Sequence, residues 1–262
     1  MGSVLKTIKI IKSLVIILSF LLCLFFPRIL ENIFNISTDK IILASLGYPF
    51  TIIIIVLTLY ILYKYNILMT IFELGLREGF IKGLLFGLIA ALPMLVSSIL
   101  LFTLSNNIFS YTTLIMVIIG PFMEELLFRG FLFGQLFNKE DWGFIPSALI
   151  GAIFFGIGHL YQGSTTASFI GVFLVTFSGG LWYSWLYAEH NNNLWVPVFL
   201  HIFMNMSWTI FETSSSGAIG TSLTNIFRVV TIVITVVYTI RHSRKYGFKI
   251  HRGNLFVNKK YA

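Results

Sequence analysis

The sequence predicts an all-α, polytopic membrane protein, a bundle of about eight transmembrane helices. Of its 262 residues, 57% are hydrophobic and only 11% are charged, whereas average soluble proteins carry about 25% charged residues. The apolar residues form runs that are long enough to cross the hydrocarbon core as helices, which takes about 20 residues. A membrane β-barrel would require short segments that alternate in polarity, and these runs do not alternate.

Eight segments are predicted as spans from their apolar runs. Polar groups interrupt the fourth, the fifth and the seventh of them. In chain order they are 13–30, 41–63, 81–104, 112–136, 144–160, 167–188, 194–211 and 225–240. We expect a single membrane domain over 1–262, with its functional core at about 112–211 and a basic cytoplasmic tail at 241–262.

The distribution of basic residues predicts the orientation of the bundle. Fourteen of the eighteen lysines and arginines lie before the first span, after the last one, or in connections on the same side as these two ends. Cytoplasmic flanks of membrane proteins collect Lys and Arg, so both termini are predicted to face the cytoplasm of a plasma membrane. The basic tail is expected to bind anionic lipid headgroups, and nucleic acid is not expected as a partner.

The fourth predicted span contains two adjacent acidic residues, Glu124 and Glu125, followed by Arg129. A charge near the bilayer centre costs about 3 kcal/mol on insertion scales, and such residues usually mark function. Glu125 and Arg129 are four residues apart and can pair on one helix face. Glu124 is rotated by about 100° from Glu125. We therefore expect Arg129 to hold Glu125 and leave Glu124 free to act.

Two further spans contain polar groups. The fifth ends in Phe155-Gly156-Ile157-Gly158-His159, and the seventh contains His201 and Asn205, which share a helix face. Each group also has a structural interpretation. A Glu-Arg pair can be purely structural, a histidine at a membrane interface is often only hydrogen-bonded, and a His-Asn pair can join helices. A single converging site would explain all three groups together.

Such a site could hydrolyse an amide bond. A glutamate can activate water, and neutral donors from histidine and asparagine can stabilise an oxyanion. Other intramembrane protease chemistries fit less well. The sequence has no His-Glu-x-x-His zinc motif, and its two aspartates, Asp39 and Asp141, both fall in predicted loops.

These motifs, in this order on successive spans, resemble those of the CAAX-protease and bacteriocin-processing family. Its members are glutamate-type intramembrane endopeptidases related to the type II CAAX prenyl endopeptidase. The matching residues are Glu124-Glu125-x-x-x-Arg129, Phe155-x-x-x-His159 and His201-x-x-x-Asn205. The resemblance covers about a third of the chain and implies an eight-helix fold with a cavity open to the cytoplasmic side.

The resemblance also implies roles for individual residues. Glu124 would activate water, His159 would be its partner on that water, and His201 and Asn205 would stabilise the oxyanion. Glu125, Arg129 and Phe155 would support them. The implied substrate is a membrane-associated peptide or lipidated protein, in peptide maturation, bacteriocin processing or bacteriocin self-immunity. No cofactor is expected. No metal ion is expected either, because the helical pair of histidines four apart that zinc sites commonly use is missing.

Three alternatives remain open at this stage. Glu124, His159 and His201 could form a His₂Glu zinc set. The protein could be a non-catalytic membrane partner of a signalling or secretion system. It could also be a transporter or proton relay, although the matched halves typical of many transporters are not evident in the sequence.

Overall fold

The computed structural model describes residues 2–34, 40–211, 213 and 217–258. Asp39 and the end of the predicted basic tail, 259–262, lie outside this part. Nine helices of four residues or more form the described bundle, and we number them in chain order. They are α1 (Gly2–Phe34), α2 (Lys40–Tyr63), α3 (Ile67–Glu73), α4 (Phe80–Leu101), α5 (Tyr111–Leu114 continuing through Gly134–Lys139), α6 (Phe144–Gly158), α7 (Thr166–Glu189), α8 (Trp195–Thr209) and α9 (Ser222–Tyr246).

All eight predicted spans correspond to helices, and the predicted all-α membrane bundle is confirmed. Six described helices, α1, α2, α4, α6, α7 and α9, contain a stretch that is long and apolar enough to cross a membrane. Two of the eight predicted spans lack such a stretch. Helix α5 is interrupted, and α8 has only 15 residues. The protein is therefore a multi-pass membrane protein, and six of its described helices are clear spans. The short α3 was not predicted from the sequence.

Helix α5 is the central helix of the bundle, and its second half is enclosed by α1, α6 and α7. Every residue from 126 to 137 is buried. The helix contains two π-helical stretches, Ile115–Ile119 and Leu126–Phe133, on either side of the α-helical turn Gly120–Glu125. The first stretch precedes Pro121, which has no backbone N–H and so interrupts the regular hydrogen-bond ladder. The two glutamates therefore lie between two irregular segments.

Glycines bring α4 and α8 into close contact. A Cβ atom at Gly83 would lie 2.5 Å from the backbone carbon of Trp195, and one at Gly87 would lie 2.6 Å from that of Phe199. Small residues at spacing four allow this approach in membrane helices. Further along, Ser98 Oγ donates a hydrogen bond to the Ser207 carbonyl, at 2.8 Å. This contact fixes the helix that contains His201 and Asn205.

We expect Gly87→Ala to destabilise the bundle by about 1–3 kcal/mol, because the added methyl group would overpack against the α8 backbone. The matched control is Gly179→Ala in α7, where a Cβ atom meets nothing within 4 Å and alanine improves helix propensity by about 1 kcal/mol. Reversible unfolding in detergent measures both variants. Equal stability of the two would contradict the assigned role of Gly87.

The segments that were predicted to lie on the cytoplasmic side meet at one end of the bundle. Lys9 of α1 pairs with Asp141 in the α5–α6 connection, and Lys139 pairs with Glu73 of α3 at 2.8 Å. The buried Glu189 carboxylate accepts backbone N–H groups of residues 249 and 250, at 3.2 and 3.0 Å. The predicted basic tail is therefore partly structured, since α9 continues to residue 246 and 247–258 folds back under the bundle.

Candidate active site

Helix α5 places its two glutamates in different environments. The Glu125 side chain is fully buried, whereas that of Glu124 is 37% exposed. Arg129 Nη1 lies 3.0 Å from Glu125 Oε1. The predicted pairing of Glu125 with Arg129 is confirmed, and Glu124 is the more accessible carboxylate.

The guanidinium of Arg129 lies among aromatic rings. Its Cζ atom is 4.7 Å from the ring centroid of Phe155, 5.3 Å from that of Tyr183 and 5.8 Å from that of Phe128. A cation over an aromatic face gains electrostatic energy, and the gain is larger where water is excluded. Phe155, which the sequence analysis placed in a supporting role, thus contacts the cation that neutralises Glu125.

His201 lies between the two glutamates. Its Nδ1 atom is 2.8 Å from Glu125 Oε1, and its Nε2 atom is 3.9 Å from Glu124 Oε2. Because an ionised carboxylate only accepts hydrogen bonds, the proton on this side of the ring resides on Nδ1. Glu125 therefore orients the imidazole and directs Nε2 toward the exposed carboxylate, as an acidic residue does for histidine in hydrolytic triads.

His159 caps the C-terminal end of α6, where the helix stops at Gly158. Its Nδ1 atom lies 2.7 Å from the backbone carbonyl oxygen of Phe155. Since a carbonyl oxygen only accepts, Nδ1 carries the proton and Nε2 of the neutral ring is free to accept one. The Phe155 ring contacts both histidines, with centroid distances of 4.4 Å to His159 and 6.4 Å to His201.

Asn205 has a contact that the sequence did not predict. Its amide Nδ2 donates to the Met116 carbonyl, at 3.1 Å. The Gly120 N–H bonds to the Ile115 carbonyl in the π-helical pattern, and Pro121 has no N–H to offer. The Met116 oxygen therefore lacks its usual partners in the helix, and Asn205 supplies one. One amide hydrogen of Asn205 is thus used to hold α8 against α5, and the second is not committed to this bond.

Two tyrosines join the site without a sequence signal that could have assigned them. The ring of Tyr183, buried in α7, lies 5.5 Å from that of His201. The hydroxyl group of Tyr48, on α2, lies against Gly120 of α5. A Cβ atom added at Gly120 would be 3.4 Å from this hydroxyl oxygen. Neither tyrosine stands at a recognisable spacing from the motifs, and only the packing of α2 and α7 around α5 brings them there.

The arrangement provides one accessible carboxylate, two oriented imidazoles and a carboxamide in the middle of a membrane bundle. Glu125 and Arg129 neutralise each other, so the local charge that remains on α5 is that of Glu124. Among the described residues, no three His, Cys, Asp or Glu side chains are grouped so as to hold a metal ion. The groups present suit proton transfer to and from a bound water molecule.

Comparison with known proteins gives a match to a family model and a match to a relative. Residues 106–207 match the family model described as "Type II CAAX prenyl endopeptidase Rce1-like". A 95-residue stretch is 35% identical to "Putative membrane peptidase YdiL" of Bacillus subtilis (strain 168). Residues 106–207 are therefore similar to the type II CAAX prenyl endopeptidase family.

The CAAX protease match includes every motif residue described above, from Glu124 on α5 to Asn205 on α8. The aligned stretch covers 36% of this chain and 34% of the Bacillus protein, so the chain matches about a third of that relative's length. The helices outside 106–207 surround the matched core in this structure.

Proposed function

We propose that this protein is an intramembrane endopeptidase that hydrolyses a peptide bond with water activated by Glu124. The observation that carries the proposal is the arrangement of the two adjacent glutamates. One is buried and neutralised by Arg129, the other is exposed, and His201 lies between them. A purely structural ion pair would account for Glu125 and Arg129, but it requires neither an exposed intramembrane carboxylate nor an oriented histidine beside it.

In the proposed reaction, Glu124 takes a proton from water as the oxygen attacks the substrate carbonyl carbon. Nε2 of His159 accepts a hydrogen bond from the other O–H of that water and so holds the water in place, without taking its proton. The oxyanion that forms receives the free amide hydrogen of Asn205 and the Nε2–H of His201 in its imidazolium form, which Glu125 stabilises through Nδ1. Glu124 then gives its proton to the leaving nitrogen as the C–N bond breaks, and the carboxylate is restored.

We expect His201→Ala and Asn205→Ala each to lower kcat by about 10²–10³ with little change in KM, because oxyanion donors act on the transition state. Thr209→Ala, at the end of the same helix, is the control and should retain normal kinetics. The measurement is steady-state cleavage by purified protein. A raised KM with kcat intact would instead assign these residues to substrate docking.

The proposed substrate is a membrane-associated peptide or lipidated protein. Peptide maturation, bacteriocin processing or bacteriocin immunity in a bacterial plasma membrane would each use such an activity. The peptidome of membranes that contain the wild-type protein, compared with membranes that contain Glu124→Gln, identifies the substrate. A product that depends on Glu124 supports the proposal, and identical peptidomes with an expressed, folded protein contradict it.

We further propose that both termini are cytoplasmic. Reporter fusions after residue 262 and within 105–111 should then report opposite sides of the membrane. The same fusions locate the site. His159 lies at the end of α6 away from the lysine-rich end of the bundle, so cytoplasmic termini would place it toward the outer leaflet. The opposite result would be a cytoplasmic reporter within 105–111 and an external reporter after residue 262. It would contradict the proposed orientation and favour a site that opens to the cytoplasm, as the family resemblance implies.

A further inference from the structure

A cavity lies at the lysine-rich end of the bundle, away from Glu124. It has a volume of about 960 Å³ and is formed by the α3–α4 connection, the end of α5, the α7–α8 connection and the last turns of α9. We call it the basal cavity and define it by Glu73, Lys82, Asn138, His190, His242 and Lys249. None of the motif residues of the candidate active site lines it.

The described charged residues that line the basal cavity include two cations without an acidic partner. Its two acidic residues are already paired, Glu73 with Lys139 at 2.8 Å and Glu78 with Arg77 at 4.0 Å. Within the described part of the chain, no ion pair involves the side chain of Lys82 or Lys249, which also line the cavity. Two cationic groups therefore remain to bind an anion.

His190 adds no charge to this cavity. Burial, and then the neighbouring His242, lowers the pKa of His190 to about 4. Its ring is neutral at physiological pH and hydrogen-bonds Thr239 through Nε2, at 3.0 Å. The positive potential thus comes from the lysines at the rim.

The walls of the basal cavity become apolar toward the membrane interior. On α4, Lys82 is followed at helical spacing by Leu85 and Ile89, which are 52% and 57% exposed. On α9, the lining passes from His242 to Ile234 over two turns. A cavity with cations at its rim and an apolar groove beneath matches a molecule with an anionic head and a hydrocarbon chain.

We propose that the basal cavity binds one anionic phospholipid. Its phosphodiester would lie between Lys82 and Lys249, and an acyl chain would follow the groove between α4 and α9 past Ile89 and Ile234. The site is independent of the proposed peptidase chemistry. It specifies one lipid-binding position, in addition to any general attraction of the basic tail to the membrane surface.

Native mass spectrometry of the full-length protein in detergent, titrated with phosphatidylglycerol, tests the proposal. The wild type should retain one lipid with saturable affinity. Lys82→Gln combined with Lys249→Gln should weaken retention by about 25-fold, or about 2 kcal/mol at about 1.4 kcal/mol per factor of ten, since each lysine contributes on the order of 1 kcal/mol. Arg244→Gln combined with Lys245→Gln removes two charges from the same end of α9 outside the cavity and should leave retention unchanged.

A second pair of variants tests the groove without changing charge. Ile89→Trp should fill it and reduce retention, whereas Ile99→Trp, on the same helix but outside the cavity and 62% exposed, should not. Equal losses in cavity and control variants would show general surface attraction and overturn the proposal. Displacement of the lipid by millimolar inorganic phosphate would assign the site to a soluble anion. If the cavity variants retained the lipid normally but bound a substrate peptide more weakly, the cavity would be a peptide site. That result would also overturn the lipid proposal.

Discussion

Glu124→Gln is expected to lower peptide-bond hydrolysis by about 10²–10⁴-fold, the typical contribution of a general base. The amide of glutamine nearly preserves the shape of the side chain but cannot take the proton from water. Because the Glu124 side chain is 37% exposed and lies 3.9 Å from His201 Nε2, the substitution breaks no buried ion pair. The folded bundle and its insertion should therefore be unaffected.

The measurement is product formation by purified wild-type and Glu124→Gln protein, with thermal unfolding as the check on folding. Glu78→Gln, at an exposed carboxylate outside the site, is the matched control for loss of one negative charge. Both proteins are also assayed after prolonged chelation. Near-normal turnover of Glu124→Gln would disprove its role as the base, and activity that is lost on chelation and restored by zinc would favour the His₂Glu metal alternative.

Glu125→Gln is expected to damage stability as well as activity. The substitution leaves the buried Arg129 cation without its counter-charge, and breaking one side of a buried ion pair costs about 3–5 kcal/mol. His201 would also lose the carboxylate that orients its Nδ1–H, at 2.8 Å in the wild type. Folding and oxyanion stabilisation would therefore fail together, in contrast to the selective effect at Glu124.

A double substitution separates the two effects of Glu125→Gln. Glu125→Gln combined with Arg129→Met removes both charges, so much of the lost stability should return while activity stays low, because His201 is still poorly oriented. Unfolding in detergent and cleavage kinetics follow the two quantities independently. A single Glu125→Gln variant with wild-type stability would mean that the Arg129 cation is compensated by its aromatic neighbours alone.

The long spans were predictable because hydrocarbon thickness imposes a length and an apolar composition that can be read from the chain. The ends of α2, α4 and α7 lie within three residues of the predicted bounds. The interrupted fourth span was less regular than expected, since Pro121 and the enclosed packing of 126–137 produce π-helical stretches. Residue spacing along an ideal helix does not contain that information.

Within the site, the pairing of Glu125 with Arg129 followed from their spacing alone, because residues four apart on a helix are neighbours. The contact of His201 with both glutamates did not, because it joins α8 to α5 across 76 residues. The same holds for Tyr183 beside His201 and for the Asn205 bond to Met116. Such contacts depend on how the helices rotate and approach, which the close packing of α4 against α8 at its glycines helps to set.

The sequence by itself determined that this is a helical membrane protein and which ionisable residues its spans contain, because the cost of burying a charge in hydrocarbon makes those residues conspicuous. Only the tertiary structure decided which nitrogen of each histidine is engaged, and with which partner. It also revealed the basal cavity, whose lysines and apolar walls come from four separate parts of the chain. These properties arise from distances between helices, and those distances are fixed by packing and not by sequence order.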